Sequence, residues 1–194
     1  MNDRIRNLKE ELLSDNWYVL RKYSYEYQRH DGTWQEQHRE SYDRGNGACV
    51  LLYNLDRRSV VLTRQFRLPA YMNGTADGML IEVAAGLLDD ASPAERVKLE
   101  AEEETGYRVE QVEPVFAPYM SPGAVTEKVH CFTARYDDST IVSDGGGLVQ
   151  EGEDIEVIEV AFDEALKMAY DGRIADGKTI MLLLHASLTL FKTQ

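Results

Sequence analysis

Apolar and polar positions along this chain change period from stretch to stretch, and the changes divide it into elements. Runs rich in Val, Leu and Tyr, bounded by turn residues, predict strands over 47–54 and 59–66, with Asn54 to Arg58 as the turn between them. Further strands fit 79–84, 109–117, 129–136 and 155–161. Ahead of these, 17–28 and 34–42 predict two strands joined across Asp31-Gly32, a strong hairpin turn signal, and 3–14 predicts a helix. Ala94, Val97 and Ala101 recur at helical spacing and predict a helix over 93–105. Helices over 163–171, with Asp163 as cap and Gly172 as stop, and over 179–191 complete the pattern. Strands interrupted by separated helices predict an α/β fold with a mixed sheet packed between helices.

The helix at 93–105 is the most sharply bounded of these elements. Ser92 is its N-cap candidate, Pro93 takes the first helical position, and Glu95 completes a capping box. Gly106 can adopt the left-handed conformation that ends it. Between the caps, Glu100, Glu103 and Glu104 fall within roughly 60° of one another around the axis. Like charges at that spacing repel, and a divalent cation bound across them would turn repulsion into attraction. The plainer alternative is a solvated acidic face.

Composition narrows the class. A chain of 194 residues, 43% of them hydrophobic, can bury a real core, and no Ser/Pro/Gly-rich linker divides it. The segment MNDRIRNLKEELLSD is charged throughout, and no apolar run approaches membrane-spanning length, so a soluble, cytoplasmic protein is expected. Cys49 and Cys131 lie in apolar strand-like runs, where small buried thiols are expected rather than a nucleophile or a disulfide. The four histidines lack zinc-ligand spacing. With 21 basic and 34 acidic side chains the formal charge is −13, a field that repels nucleic acid and anionic membrane. A nucleotide would be repelled too, unless bound cations and a local set of Arg or Lys received it.

The segment GLLDDASPAERVKLEAEEETGY resembles the box of the Nudix hydrolases, G-x5-E-x7-R-E-U-x-E-E-x-G-U, with Gly86, Glu100, Ala101, Glu103, Glu104, Gly106 and Tyr107 in place. The Gly86 loop is one residue short before Ser92, so the box's first glutamate has no counterpart. Leu99 stands where the box has arginine, and Arg96, one turn before Glu100, can supply a cation locally. RGNGACVLLYN, RQFRLPAY, IEVAAGLLD, YMSPGAVTE, EGEDIEV and DGRIADGKT extend the likeness over nearly the whole chain, toward the sugar-nucleotide branch of the family. Pro122, fifteen residues after Tyr107, fits the same branch.

The resemblance implies a Nudix α/β/α sandwich with a mixed sheet and an N-terminal antiparallel β hairpin or sheet. It divides the chain into an N-terminal β region over 1–45, serving dimerisation and base contacts, and a catalytic domain over 46–194. It implies Mg2+ as cofactor, held by Ala85, Glu100, Glu104 and Glu153, with Glu103 sharing the cluster. Glu151, Glu153 and Asp154 stay open as candidates for the base. Arg67 and Lys178 match cationic contacts to the diphosphate, Trp17 a stacking platform for the base, Arg39 and Glu40 a base-reading strand, and Glu127 a position near the sugar. A surface ion pair is the rival account of Arg39 and Glu40.

The implied reaction is hydrolysis of the diphosphate of a nucleotide sugar, GDP-mannose ahead of ADP-ribose or another ADP-sugar. A non-catalytic nucleotide-binding module is the third reading. Attack at phosphorus or at the sugar carbon is left open. The aromatics Trp17, Tyr18, Tyr23, Tyr25, Tyr27 and Trp34 give the N-terminal region either a small independent sheet or the surface of a homodimer.

Overall fold

The computed structural model describes residues 3–192, so positions 1, 2, 193 and 194 of the two expected regions lie outside the described residues. The chain divides into two compact units: Met1–Asn46 with Tyr119–Lys128, and Gly47–Pro118 with Val129–Gln194.

The smaller unit is an antiparallel sheet of β1 (Ile5–Asp15), β2 (Val19–Gln28) and β3 (Trp34–Asp43), in that order. β2 and β3 pair without interruption from Val19↔Asp43 to Gln28↔Trp34. Their turn is held by Asp31, whose carboxylate accepts from the Thr33 N–H (3.0 Å) and hydroxyl (2.6 Å). Residues 119–128 join this unit through Tyr42, whose N–H donates to the Ala124 carbonyl (2.7 Å) while its carbonyl accepts from Thr126 (3.1 Å).

β1 overturns the helix expected over 3–14. Ile5, Leu8, Leu12 and Leu13 recur at the three- and four-residue spacing of a helix, yet all four are exposed and the segment is strand. A lone helix of that length with no buried face is marginal in water. As a strand it covers an edge of β2 whose backbone groups would otherwise lack protein partners. Cross-strand pairs Arg6–Glu26 (3.0 Å) and Arg21–Glu10 (2.9 Å) add to the ladder. Register shifts between Arg6 and Lys9 and between Leu12 and Ser14 let a helix-spaced sequence lie along the sheet.

The larger unit is built on β4 (Gly47–Asn54), β5 (Ser59–Phe66), β6 (Met79–Glu82), β7 (Ala84–Leu87), β8 (Glu113–Phe116), β9 (Val129–Arg135) and β10 (Glu156–Ala161). The order is β10-β5-β4-β9-β8, with β6 paired to β5 and β7 to β4. Only β4 and β9 run parallel among the paired strands of this sheet, so it is mixed, as expected. The helices are α1 (Leu68–Met72), α2 (Pro93–Thr105), α3 (Phe162–Asp171) and α4 (Gly177–Thr189).

β4 is buried along nearly its whole length, as a strand covered on both faces must be. Ala48, Val50 and Leu52 share one core cluster with Val97 and Ala101 of α2. Cys49 and Leu51 alternate to the opposite face, and α4 packs against β4 and β9. Helices on both sides of one sheet give the α/β/α layering. Cys49 and Cys131 lie side by side across β4 and β9 as buried free thiols, Sγ to Sγ 3.5 Å.

Several boundaries differ from expectation. The expected strand 79–84 breaks after Glu82, because the chain leaves β5 there and returns on β4 as β7. α1 and β7 were not expected at all. α3 begins at Phe162 with Ala161 in the cap position, and Asp163 instead pairs with Arg58 (3.0 Å). α4 begins two residues earlier than expected, since Asp176 caps it by accepting from the Thr179 N–H (3.0 Å). β8 is confined to 113–116. Among the described residues no helix is long and apolar enough to cross a membrane.

Leu51, fully buried in the central strand, tests this layering. Leu51→Ala should cost about 2 to 5 kcal/mol of unfolding free energy, seen as a lower urea midpoint at unchanged slope.

Candidate catalytic and cation-binding site

The site is assembled on α2. Its start is as the sequence predicts: Ser92 Oγ accepts from the Glu95 N–H (3.3 Å), Glu95 Oε2 accepts from the Ser92 N–H (3.3 Å), and Pro93 follows. Its end is Gly106 at φ 78, whose N–H donates to the Glu102 carbonyl (2.9 Å). A side chain there would meet the backbone of Ser143, so this glycine is required both for its conformation and for its lack of a Cβ.

With both ends fixed, the rotation of α2 is fixed by Val97 and Ala101 in the core, and the glutamates follow. Glu100 and Glu104 are buried, at 4% and 1% exposure, while Glu103 is half-buried. Glu104 Oε2 accepts from the Ala85 N–H of β7 (3.1 Å). Glu100 lies against Gly86, so closely that any Cβ at 86 would overlap its carboxylate. Arg96 forms an ion pair with Glu100 one turn along the helix. Even so, Glu100 Oε1 and Arg96 Nε are buried without a well-formed hydrogen bond.

Burial pushes the Glu100 carboxyl up to about 7; Arg96 opposes this, and the charges of Glu103 and Glu153 add to it. Glu104 is pushed up to about 8, again by burial first, then by Glu100, with the Ala85 N–H acting in the other direction and Glu153 reinforcing the rise.

Glu153 reaches this cluster from a glycine-rich loop. Gly145, Gly146 and Gly147 all have positive φ, and the N–H groups of Gly146 and Gly147 donate to the carbonyls of Glu104 (2.9 Å) and Glu103 (3.0 Å). The loop thereby closes the C-terminal end of α2 and carries Glu153 inward, where its Oε2 accepts from the Leu148 N–H (2.8 Å). Of the three acids weighed in this stretch, only Glu153 is partly buried. Glu151 and Asp154 are exposed and make no side-chain hydrogen bond or ion pair among the described residues.

Two further residues that the sequence reading passed over, Glu82 and Asp176, organise the expected cations. Glu82, buried at the end of β6, accepts from Arg67 Nε (2.7 Å) and Lys178 Nζ (2.6 Å), and Lys178 also donates to Asp176 (3.0 Å). Burial alone would raise the Glu82 carboxyl, but Lys178 and Arg67 hold it below the ordinary carboxylate range. Burial alone would lower the Lys178 ammonium, but Glu82 and Asp176 hold it above its ordinary value. Glu82 was detectable as a lone charge in the apolar run MLIEV, a placement rarely tolerated without partners.

Trp17, Arg39, Glu40 and Glu127 belong to the smaller unit. Trp17 is 83% exposed and stands edge-on to Tyr18, ring centres 6.2 Å apart. Arg39 and Glu40 pair across the sheet with Tyr23 and Lys22, and Arg39 donates to the His38 carbonyl (2.7 Å) rather than to Glu40. Glu127 pairs with Arg44 (3.5 Å). Two open hollows of about 420 and 510 Å³ lie wholly in this unit, one about Tyr27 and His30, the other about Leu8 and Tyr25.

Among the described residues no three acidic, His or Cys side chains are already gathered as a ready metal cage. The residues nonetheless suit a hard divalent cation. Every donor is oxygen, the buried Glu100 carboxylate has Arg96 as its sole cationic partner among the described residues and no well-formed hydrogen bond at Oε1, and the missing side chain at Gly86 lets that carboxylate lie directly against β7.

A strand edge with glycine facing a capped helix of buried glutamates, on a mixed sheet between helices, defines the Nudix class of hydrolase. The chain belongs to the NUDIX family: residues 43–183 match its domain model. Residues 4–42 match the model described as the GDP-mannose pyrophosphatase NudK N-terminal domain. Among curated relatives, the GDP-mannose pyrophosphatase of Pectobacterium atrosepticum is 55% identical over 96% of this chain and 95% of its own length. That of Yersinia enterocolitica is 52% identical, covering 97% of each chain. That of Yersinia pestis is 51% identical over 98% of this chain and 96% of its own.

The raised carboxyls make a signed prediction. Without cation, the folded protein holds protons at Glu100 and Glu104 that the unfolded chain releases near pH ~4.3, so stability is fully present below that pH and is lost as pH rises through about 7 and 8. Thermal melts in chelator should therefore fall between pH ~5 and ~8.5, excess divalent cation should flatten the fall, and cation binding should release protons. A melting temperature that rises over this window in chelator would contradict the assignment.

Proposed function

We propose that this protein is a nucleoside-diphosphate-sugar pyrophosphatase that uses Mg2+ to cleave GDP-mannose to GMP and mannose 1-phosphate. The observation that carries the hydrolytic reading is the buried pair on α2 against β7, Glu100 at Gly86 and Glu104 at the Ala85 N–H, together with Glu153 on the loop that closes α2. The names of the relatives, over nearly the full length of both chains, support the substrate.

Diphosphate cleavage needs water in line with one phosphorus, neutralisation of the leaving phosphate, and both negative groups held still. Mg2+, when bound, supplies charge neutralisation and activates water. Glu100, Glu104, Glu153 and the Ala85 carbonyl would hold it, with Glu103 contributing negative charge nearby. Glu153 is our choice for the group that orients or deprotonates water, ahead of Glu151 and Asp154, because it alone of the three is partly buried and acts on the Glu100 and Glu104 carboxyls. Arg67 and Lys178 hold the diphosphate. Trp17 stacks on guanine, Arg39 and Glu40 read the base, and Glu127 lies near the sugar.

We assign residues 1–45 to dimerisation and base contacts and 46–194 to catalysis. The single chain leaves Ile5, Leu8, Leu12, Leu13 and Trp17 in solvent, an apolar set that pairing with a second copy would cover. A cytoplasmic site of action accords with the adjacent, unbridged thiols of Cys49 and Cys131.

Assays on a panel of nucleotide sugars with Mg2+ should show GDP-mannose preferred over ADP-ribose, and in oxygen-18 water the label should enter a phosphate product. Glu104→Gln should lower turnover by at least about two orders of magnitude with little change in folding. Near-parental turnover in that variant would reduce the acidic helix to a solvated face, and label in free sugar would sink attack at phosphorus. For assembly, sedimentation at micromolar concentration should find a dimer; a monomer alone would refute the role given to the N-terminal sheet.

A further inference from the structure

Arg67, Glu82 and Lys178 come from three separate places in the chain, and the sheet brings them to one point. β5 and β6 pair from Phe66↔Met79 to Thr63↔Glu82, and the Arg67 N–H extends the ladder by donating to the Gly78 carbonyl (2.8 Å). Glu82 is held at its backbone as well: its carbonyl accepts from the Thr63 hydroxyl (3.3 Å), and the next residue, Val83, donates to Thr179 Oγ1 of α4 (2.8 Å). Lys178 sits in the first turn of that same helix, beside its capping Asp176.

The two oxygens of the Glu82 carboxylate are divided between the cations, Oε2 to Arg67 and Oε1 to Lys178. An ammonium has three donors and a guanidinium five. Glu82 and Asp176 occupy two of the former, and Glu82 one of the latter. The remaining donors have no hydrogen-bond partner among the described residues, and the Arg67 side chain is 39% exposed while Glu82 is 4% exposed. Donors of Arg67 that face solvent are open to an anion, and a buried ion pair is weak evidence for stability in any case. This one keeps the carboxylate inside and leaves cationic donors over. Arg67 is also close enough to Glu104 to act on its charge, so the array borders the carboxylate cluster.

We propose that Glu82 is a positioning residue for the diphosphate: it gathers Arg67 and Lys178 into one preformed donor array beside the acidic helix. This rests on the reading of Arg67 and Lys178 as diphosphate contacts. Without Glu82, each binding event must collect two long, mobile cations from different elements. Lost preorganisation weakens ground state and transition state alike and is felt in KM.

The test is steady-state kinetics on GDP-mannose with Mg2+ for Glu82→Gln, Arg67→Ala, Lys178→Ala and the double variant Glu82→Gln with Lys178→Ala, alongside thermal melts. Glu82→Gln should raise KM about ten-fold or more while changing kcat less than about three-fold, a split that general loss of structure would not produce. Its effect should shrink markedly in the Lys178→Ala background, because one of the groups it positions is gone. If Glu82→Gln does not fold, Glu82→Asp takes its place: the charge is kept, the reach is one methylene shorter, and the same KM-selective loss is expected. Parental KM in the Glu82 variant, or full additivity with Lys178→Ala, overturns the positioning role alone if Arg67→Ala and Lys178→Ala are impaired. Parental KM in those two as well overturns both the positioning role and the diphosphate assignment beneath it.

Discussion

Two ionisable side chains on the packed side of a short helix set the terms for the rest of this molecule. Glu100 and Glu104 lose water, repel one another, and face a third and fourth carboxylate in Glu103 and Glu153. Left to itself such a helix would turn its acids to solvent. It is prevented by features that have nothing to do with charge: a capping box at Ser92, a left-handed stop at Gly106, and Val97 and Ala101 seated in the core under β4. The mechanical bounds of α2 thus hold an electrostatically unfavourable arrangement in place, and that stored repulsion is what a cation would relieve.

A second array balances the first. Arg67 and Lys178 are partnered by Glu82 and Asp176, so the four formal charges sum to zero before any ligand arrives. In a chain of net charge −13, this locality matters more than the global field. In the role proposed for them, these donors would present an already gathered pair to a diphosphate, rather than an excess of positive charge that would attract any polyanion.

How much of this was legible in the sequence follows from how local each feature is. The start, end and acidic face of α2 were readable because Ser92, Pro93, Glu95 and Gly106 act within one turn of where they stand. β1 was misread because Ile5, Leu8, Leu12 and Leu13 carry helical spacing, whereas what decides their conformation is the unpaired edge of β2, a partner no local pattern reveals. The break between β6 and β7 is invisible for the same reason, since Glu82 and Ala84 belong to different neighbours although only one residue separates them. In the site, Glu100, Glu104 and Glu153 were singled out from motif likeness, but the joining of Arg67 to Lys178 depends on a sheet contact and a helix cap from opposite ends of the domain. Only the oddity of a single acid among apolar strand residues hinted at it.

Gly86 shows what such a site costs the fold that hosts it. Its φ is not in the left-handed region, and in a strand a larger residue at such a position ordinarily adds stability by restricting the unfolded chain, which then loses less freedom on folding. Here the added atom would land on the Glu100 carboxylate. The absent side chain at Gly86, whose place the Glu100 carboxylate takes, is therefore where thermal robustness and chemistry pull apart. A substitution there toward a firmer sheet would leave a folded protein whose Glu100 carboxylate is pushed out of its place against β7.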